Sequence, residues 1–121
     1  PAQLGYLAGL ESDRSWMDAY SQKVVAQRDV CVDRINGIDG LEVQSSGGAF
    51  YMFVKLTDPK WADDDKQFVL DLLHEEHVLV VHGSGFSPEL GRGHFRIVYL
   101  PEISVLNEAF DRIERFLIRH R

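Results

Sequence analysis

Arg96 is the side chain in this 121-residue sequence whose type and setting most invite chemistry. It stands in His94-Phe95-Arg96-Ile97-Val98-Tyr99-Leu100, where a strand would put Phe95, Ile97 and Tyr99 on one face and Arg96, Val98 and Leu100 on the other. A guanidinium set among apolar residues needs an anionic partner, because burying it unpaired is costly. Its planar fork also suits a carboxylate, which it grips through two parallel hydrogen bonds. Two readings stay open from the residues alone: a ligand's carboxylate, or a structural ion pair with one of the chain's 19 acidic residues.

The remaining candidates carry weaker patterns. In His82-Gly83-Ser84-Gly85-Phe86 the glycines would let backbone approach a ligand. The segment has neither the spacing nor the lysine of a dinucleotide or phosphate loop. Ser84 is not flanked by the glycines of a hydrolase elbow, since His82 and Phe86 occupy those places. His74 and His77 stand three apart rather than four, which breaks the zinc-protease pattern. His74-Glu75-Glu76-His77 therefore reads as a solvated helix end, and no metal site is expected. Asp63-Asp64-Asp65 reads as a solvated cap favoured by a helix dipole. Cys31 reads as a small core residue, and Phe50, Tyr51 and Phe53 as sheet core. Lys23, Lys55, Lys60 and Lys66 fall on a helix face, a strand end and a loop-to-helix junction.

The elements that must position these groups follow from periodicity. Trp16, Tyr20, Val24, Cys31 and Ile35 recur at helical spacing, with Ser12 or Asp13 to start the helix and Asn36-Gly37 to stop it. A shorter helical piece, Pro1 to Leu10, precedes it. Strands are expected over Leu41–Gln44, Ala49–Leu56, Val78–Val81 and His94–Leu100. A helix is expected over Asp65–Glu76, and His82–Gly93 reads as a Gly-rich loop. A last helix capped by Ser104 would bury Leu106, Phe110, Ile113 and Leu117. This order lacks the regular spacing of a doubly wound sheet. It implies an α+β, two-layer domain, a small mixed or antiparallel sheet covered by helices.

Composition bounds the function. With 45% apolar and 26% charged residues, the chain is expected to be one globular domain over residues 1–121. A net charge of -6 argues against nucleic-acid and anionic-membrane partners, leaving small molecules and other proteins. One cysteine, no span-length apolar run and no leader-like start lead to an expected cytoplasmic location. The sequence opens at Pro1 without an initiator methionine and so reads as a fragment or processed product.

Three ordered motifs carry a resemblance over essentially the whole chain. They are Ser46-Gly47-Gly48-Ala49-Phe50-Tyr51-Met52-Phe53, Val78-Leu79-Val80-Val81-His82-Gly83-Ser84-Gly85-Phe86 and His94-Phe95-Arg96-Ile97-Val98-Tyr99-Leu100-Pro101. Together they resemble the C-terminal third of fold-type I, PLP-dependent class I/II aminotransferases, with wording closest to the alanine aminotransferase branch. Many relatives have Pro where His82 stands. The resemblance implies that residues 1–12 end a large-domain segment and that 13–121 form the C-terminal small domain. It implies that Arg96 binds the substrate α-carboxylate and that Phe86 and His82 line the entrance. It also implies that pyridoxal 5'-phosphate and its Schiff-base lysine belong to a large domain lying before these residues. No catalytic or cofactor-binding residue is then expected here, and the isolated chain is expected to be inactive. The implied parent is a homodimer that moves an amino group between an amino acid, with alanine and glutamate foremost, and a 2-oxo acid. A stand-alone amino-acid-binding module and a related PLP lyase or synthase remain as alternatives.

Overall fold

In the computed structural model, which describes residues 1–121, helices α1 (Ala2–Glu11) and α2 (Ser15–Gly37) precede strands β1 (Leu41–Glu42) and β2 (Tyr51–Leu56). Helix α3 (Asp65–Glu76), strand β3 (Val81–His82), a single 3-10 turn (Gly83–Gly85), strand β4 (His94–Val98) and helix α4 (Ile103–Arg119) follow. The strands make one sheet in the order β1-β2-β4-β3, and every neighbouring pair is antiparallel. The fold is therefore α+β.

Period-two alternation explains why the sheet has two unlike faces. Met52, Val54 and Leu56 of β2 are buried, as are Phe95, Ile97 and the following Tyr99 along β4. The register sets Val54 opposite Phe95 and Met52 opposite Ile97, so these side chains merge into one apolar layer. Helix α3 covers that layer with Phe68, Val69 and Leu72, and α4 with Leu106, Phe110, Ile113, Phe116 and Leu117. Helix α2 adds Cys31 and Ile35. Trp61 locks the helices together, its ring 5.7 Å from Phe68 and 5.5 Å from Phe116. The opposite face carries no helix.

Several local expectations change. Tyr51 and Phe53, expected in the core, lie on the open face, because Met52 and Val54 take the buried phase of the alternation; Phe50 is exposed as well. The stripe on α2 is buried only in its second half, and Trp16, Met17 and Tyr20 are exposed. A helix of 23 residues is about 34 Å long, whereas the six-residue β2 spans about 20 Å, so α2 overhangs the sheet. The strand expected over Val78–Val81 pairs only at Val81 and His82. After α3, His77 takes the left-handed region (φ 57), and residues 78–80 run on unpaired before Val81 meets β4. Ser104 does not cap α4. The Glu102 carbonyl accepts from Val105 and Leu106, which starts the helix at Ile103 and puts Ser104 inside the first turn. Asn36 does more than stop α2: its side chain donates to the Val43 carbonyl and accepts from the Val43 N–H, tying the helix end to the residue after β1. No helix is long and apolar enough to cross a membrane.

Candidate functional site

Arg96 lies on the open face of the sheet, opposite Phe53 on one side and Val81 on the other. Its guanidinium carbon sits 4.6 Å from the Tyr51 ring and 4.4 Å from the Phe86 ring. Both contacts are of cation–π type and shield parts of the guanidinium from water. Its Nε is buried and has no hydrogen-bond partner. Arg96 takes part in none of the chain's ion pairs, although the chain is rich in carboxylates. A desolvated donor without an acceptor is costly in a folded protein; buried Gln27 Oε1 and Trp61 Nε1 also lack partners, but neither carries a charge.

The loop that brings Phe86 to this spot is closely built. A side chain at Gly83 would put its Cβ 2.2 Å from the Gly91 carbonyl oxygen, and one at Gly91 would come within 1.9 Å of the Gly83 oxygen. The two ends of the loop meet backbone to backbone, and only glycine permits this. The Gly83 carbonyl accepts from Phe86 N–H at 2.9 Å, which turns the Phe86 ring back over the sheet.

Beneath the loop, Asp65 of α3 is 2% exposed and accepts the Ser84 N–H at 2.8 Å. Burial pushes this carboxyl up, but hydrogen bonds from the Ser84 backbone and hydroxyl and from the Gly93 N–H outweigh it and hold Asp65 below the ordinary aspartate range. The acidic run is thus not uniformly solvated. Asp64 caps α3 by accepting from Gln67 N–H, while Asp65 anchors a loop.

The structure brings Phe86 to Arg96 but not His82. His82 pairs with Phe95, so its side chain shares the helix-covered side of the sheet. Its Nδ1 lies 3.0 Å from Ser84 Oγ and 3.8 Å from Asp65 Oδ2. It supports the turn rather than lining an entrance beside Arg96. Tyr51 and Asp65 are the site residues that sequence reasoning missed. Tyr51 was readable in principle, since a β2 phase that buries Met52 and Val54 puts Tyr51 and Phe53 beside Arg96. Nothing in three consecutive aspartates marks the middle-to-end one as buried.

Other candidates go elsewhere. His74 and His77 belong to no cluster of metal-ligating side chains. Glu76, expected in a solvated helix end, is buried and clamped by Arg115 and Arg119. Three clefts mark the surface. One, of about 370 Å³, lies between α2 and Ser46–Phe50. A second, of about 360 Å³, runs under Val78–Val81 along α4; Arg96 borders it, but Phe86 does not. No lysine lines any of the three. Lys23 pairs with Glu102, Lys55 with Glu42, and Lys60 lies against Trp61.

Known proteins give this geometry a context. The family model for aminotransferase class I and II matches residues 1–113. The glutamate-pyruvate aminotransferase AlaA of Haemophilus influenzae is 42% identical over 103 residues, which is 82% of this chain and 24% of that protein. An alanine aminotransferase of Mycobacterium tuberculosis is 38% identical over 104 residues, 82% of this chain and 23% of its own length. Among solved structures, an alanine aminotransferase from Pyrococcus furiosus superposes with a TM-score of 0.92 at 46% identity, covering 100% of this chain and 30% of that one. An aspartate aminotransferase from Thermotoga maritima reaches 0.79 at 36% identity, covering 96% and 28%. The chain spans about a quarter of the length of the curated relatives it matches. A family match across nearly all of the sequence and a fold shared with solved members lead to one conclusion: this chain belongs to the class I and II aminotransferases.

Proposed function

We propose that residues 13–121 are the C-terminal small domain of a PLP-dependent aminotransferase and that residues 1–12 close a large-domain segment. In this reading the domain binds the carboxylate of an amino acid, with alanine and glutamate the first candidates, and of the matching 2-oxo acid. Helix α1 supports the division, since none of its residues is buried and Leu4, Tyr6, Leu7 and Leu10 all face outward. The names of the relatives support the substrate class.

The observation that carries the reading is the Arg96 guanidinium, which has an orphaned Nε, two flanking rings and no internal acid. A carboxylate arriving edge-on would complete a charge-assisted pair. Tyr51 and Phe86 would keep water from the faces of the guanidinium and so strengthen that pair. Seating the carboxylate there fixes where the amino acid's α-carbon stands.

These residues do not build a site for pyridoxal phosphate. None of the four lysines lines a cleft, and Lys23 and Lys55 already hold carboxylates. The cofactor, which carries the amino group in such reactions, is assigned to the rest of the parent protein. A cytoplasmic homodimer completes the proposal.

Arg96→Ala in the full-length protein is expected to weaken amino-acid and 2-oxo-acid binding by about 2–5 kcal/mol, measured as KM or by direct titration. Arg96→Lys would not restore it, because a point charge lacks the planar fork. Unaltered steady-state kinetics in Arg96→Ala would overturn the assignment. The isolated 121 residues are expected to transaminate nothing in the presence of pyridoxal phosphate, and measurable turnover would refute the division of labour.

A further inference from the structure

Phe86 presents a physical puzzle. It is half exposed, so its own burial does not hold its ring in place, yet it is one of the two rings against the Arg96 guanidinium. Tyr51, the other ring, sits in a regular strand whose register needs no extra support. Phe53 touches the Phe86 ring edge-on at 5.7 Å, a contact made on the open face and easily lost. What holds Phe86 must therefore come from the backbone of its loop.

That backbone is held from the far side of the sheet. Asp65 grips the Ser84 N–H at 2.8 Å, two residues before Phe86, and the Gly83 carbonyl then accepts from Phe86 N–H. The Ser84 hydroxyl lies between this carboxylate and His82 Nδ1, and the Gly83–Gly91 contact closes the loop behind it. Asp65 itself is buried at the first turn of α3, with Asp64 capping the helix beside it. A chain of contacts thus runs from the N-terminus of α3, through Ser84, to a ring lying against Arg96.

We propose that Asp65 is a positioning residue for carboxylate recognition: through Ser84 it sets the 83–86 turn so that Phe86 stays stacked on Arg96. The inference rests on the proposed role of Arg96 and adds the device that keeps that guanidinium aimed. It acts on ground-state binding of the carboxylate and not on any proton in flight, so it should appear in KM more than in kcat.

The test compares variants of the full-length protein, with pyruvate and alanine as probes. Asp65→Asn keeps the size of the side chain but replaces the charged acceptor, and is expected to raise KM about tenfold with kcat within about twofold of wild type. Phe86→Ala should raise KM by a similar factor. In the double variant Asp65→Asn/Phe86→Ala, KM should be no higher than in Phe86→Ala alone, because both changes cut the same chain of contacts. A merely structural Asp65 would instead give effects that multiply, and that result overturns the proposal. So does a KM within twofold of wild type for Asp65→Asn. Should Asp65→Asn fail to fold, Ser84→Ala removes only the hydroxyl and is expected to raise KM in the same direction, with a smaller factor and the same masking by Phe86→Ala; no masking overturns the proposal. Arg96→Ala separates the two claims: if it raises KM while Asp65→Asn does not, only the positioning role falls; if it leaves KM unchanged, the carboxylate site and its support fall together.

Discussion

The two faces of the sheet share the same backbone and nearly opposite chemistry. On the covered side the two buried carboxylates are answered: Glu76 is held by Arg115 and Arg119, and Asp65 by the loop N–H it accepts from. On the open face, Arg96 has only rings beside it and an unmet donor. Burying an unpaired charge costs more than burying an unpaired neutral group such as the Trp61 indole N–H, so the covered face reads as the part that stabilises the fold, and the open face is where the proposed carboxylate site lies.

The most forceful way to break this contrast is to truncate one aromatic from each face. Phe95→Ala removes a side chain that is 1% exposed and packed 5.2 Å from the Phe68 ring, and should cost about 3–5 kcal/mol in denaturant unfolding. Phe53, one register position away but 41% exposed, should cost less than about 1 kcal/mol when cut to Ala. Similar losses would show that the open face is also structural.

The next effect sharpens the contrast between paired and unpaired charge. Glu76→Gln should destabilise by about 1–3 kcal/mol at neutral pH, because buried acceptor sites for Arg115 and Arg119 lose their charge. The hydrogen bond from Arg115 holds the Glu76 carboxyl below its ordinary value of about 4.5, against the opposing effect of burial and with help from the Arg119 charge. A depressed native value means that this stability is complete above about pH 4.5 and fades as pH falls through the lower native value. The acid limb of the wild-type stability curve should therefore be steeper than that of Glu76→Gln. Arg96→Ala, by contrast, should change unfolding by less than about 1 kcal/mol while impairing binding, since it has no internal ion pair to lose.

Much of this arrangement was legible from residue types. The α4 stripe of Leu106, Phe110, Ile113 and Leu117 is buried as its spacing implies, and Cys31 packs in the core. The alternation around Arg96 correctly separated it from Phe95, Ile97 and Tyr99. What failed has common causes. Phe50, Tyr51 and Phe53 were placed inside because aromatic residues favour burial, but hydrophobicity does not say which phase of a strand meets the helices. Trp16 and Tyr20 kept helical spacing in a part of α2 that reaches past the sheet. His82 was expected beside Phe86 only because the family resemblance implied an entrance there, whereas its pairing with Phe95 turns its side chain toward the helix-covered side.

Local sequence determined the helices, the two longer strands and that Arg96 would face away from Phe95, Ile97 and Tyr99, because those properties depend on periods of 3.6 and 2 within a few residues. Tertiary structure alone decided that Tyr51 and Phe86 would flank Arg96 and that Asp65, 31 positions earlier, would hold the loop carrying one of those rings. Strand register and backbone closure set those contacts, and both are settled only when distant segments compete for the same space.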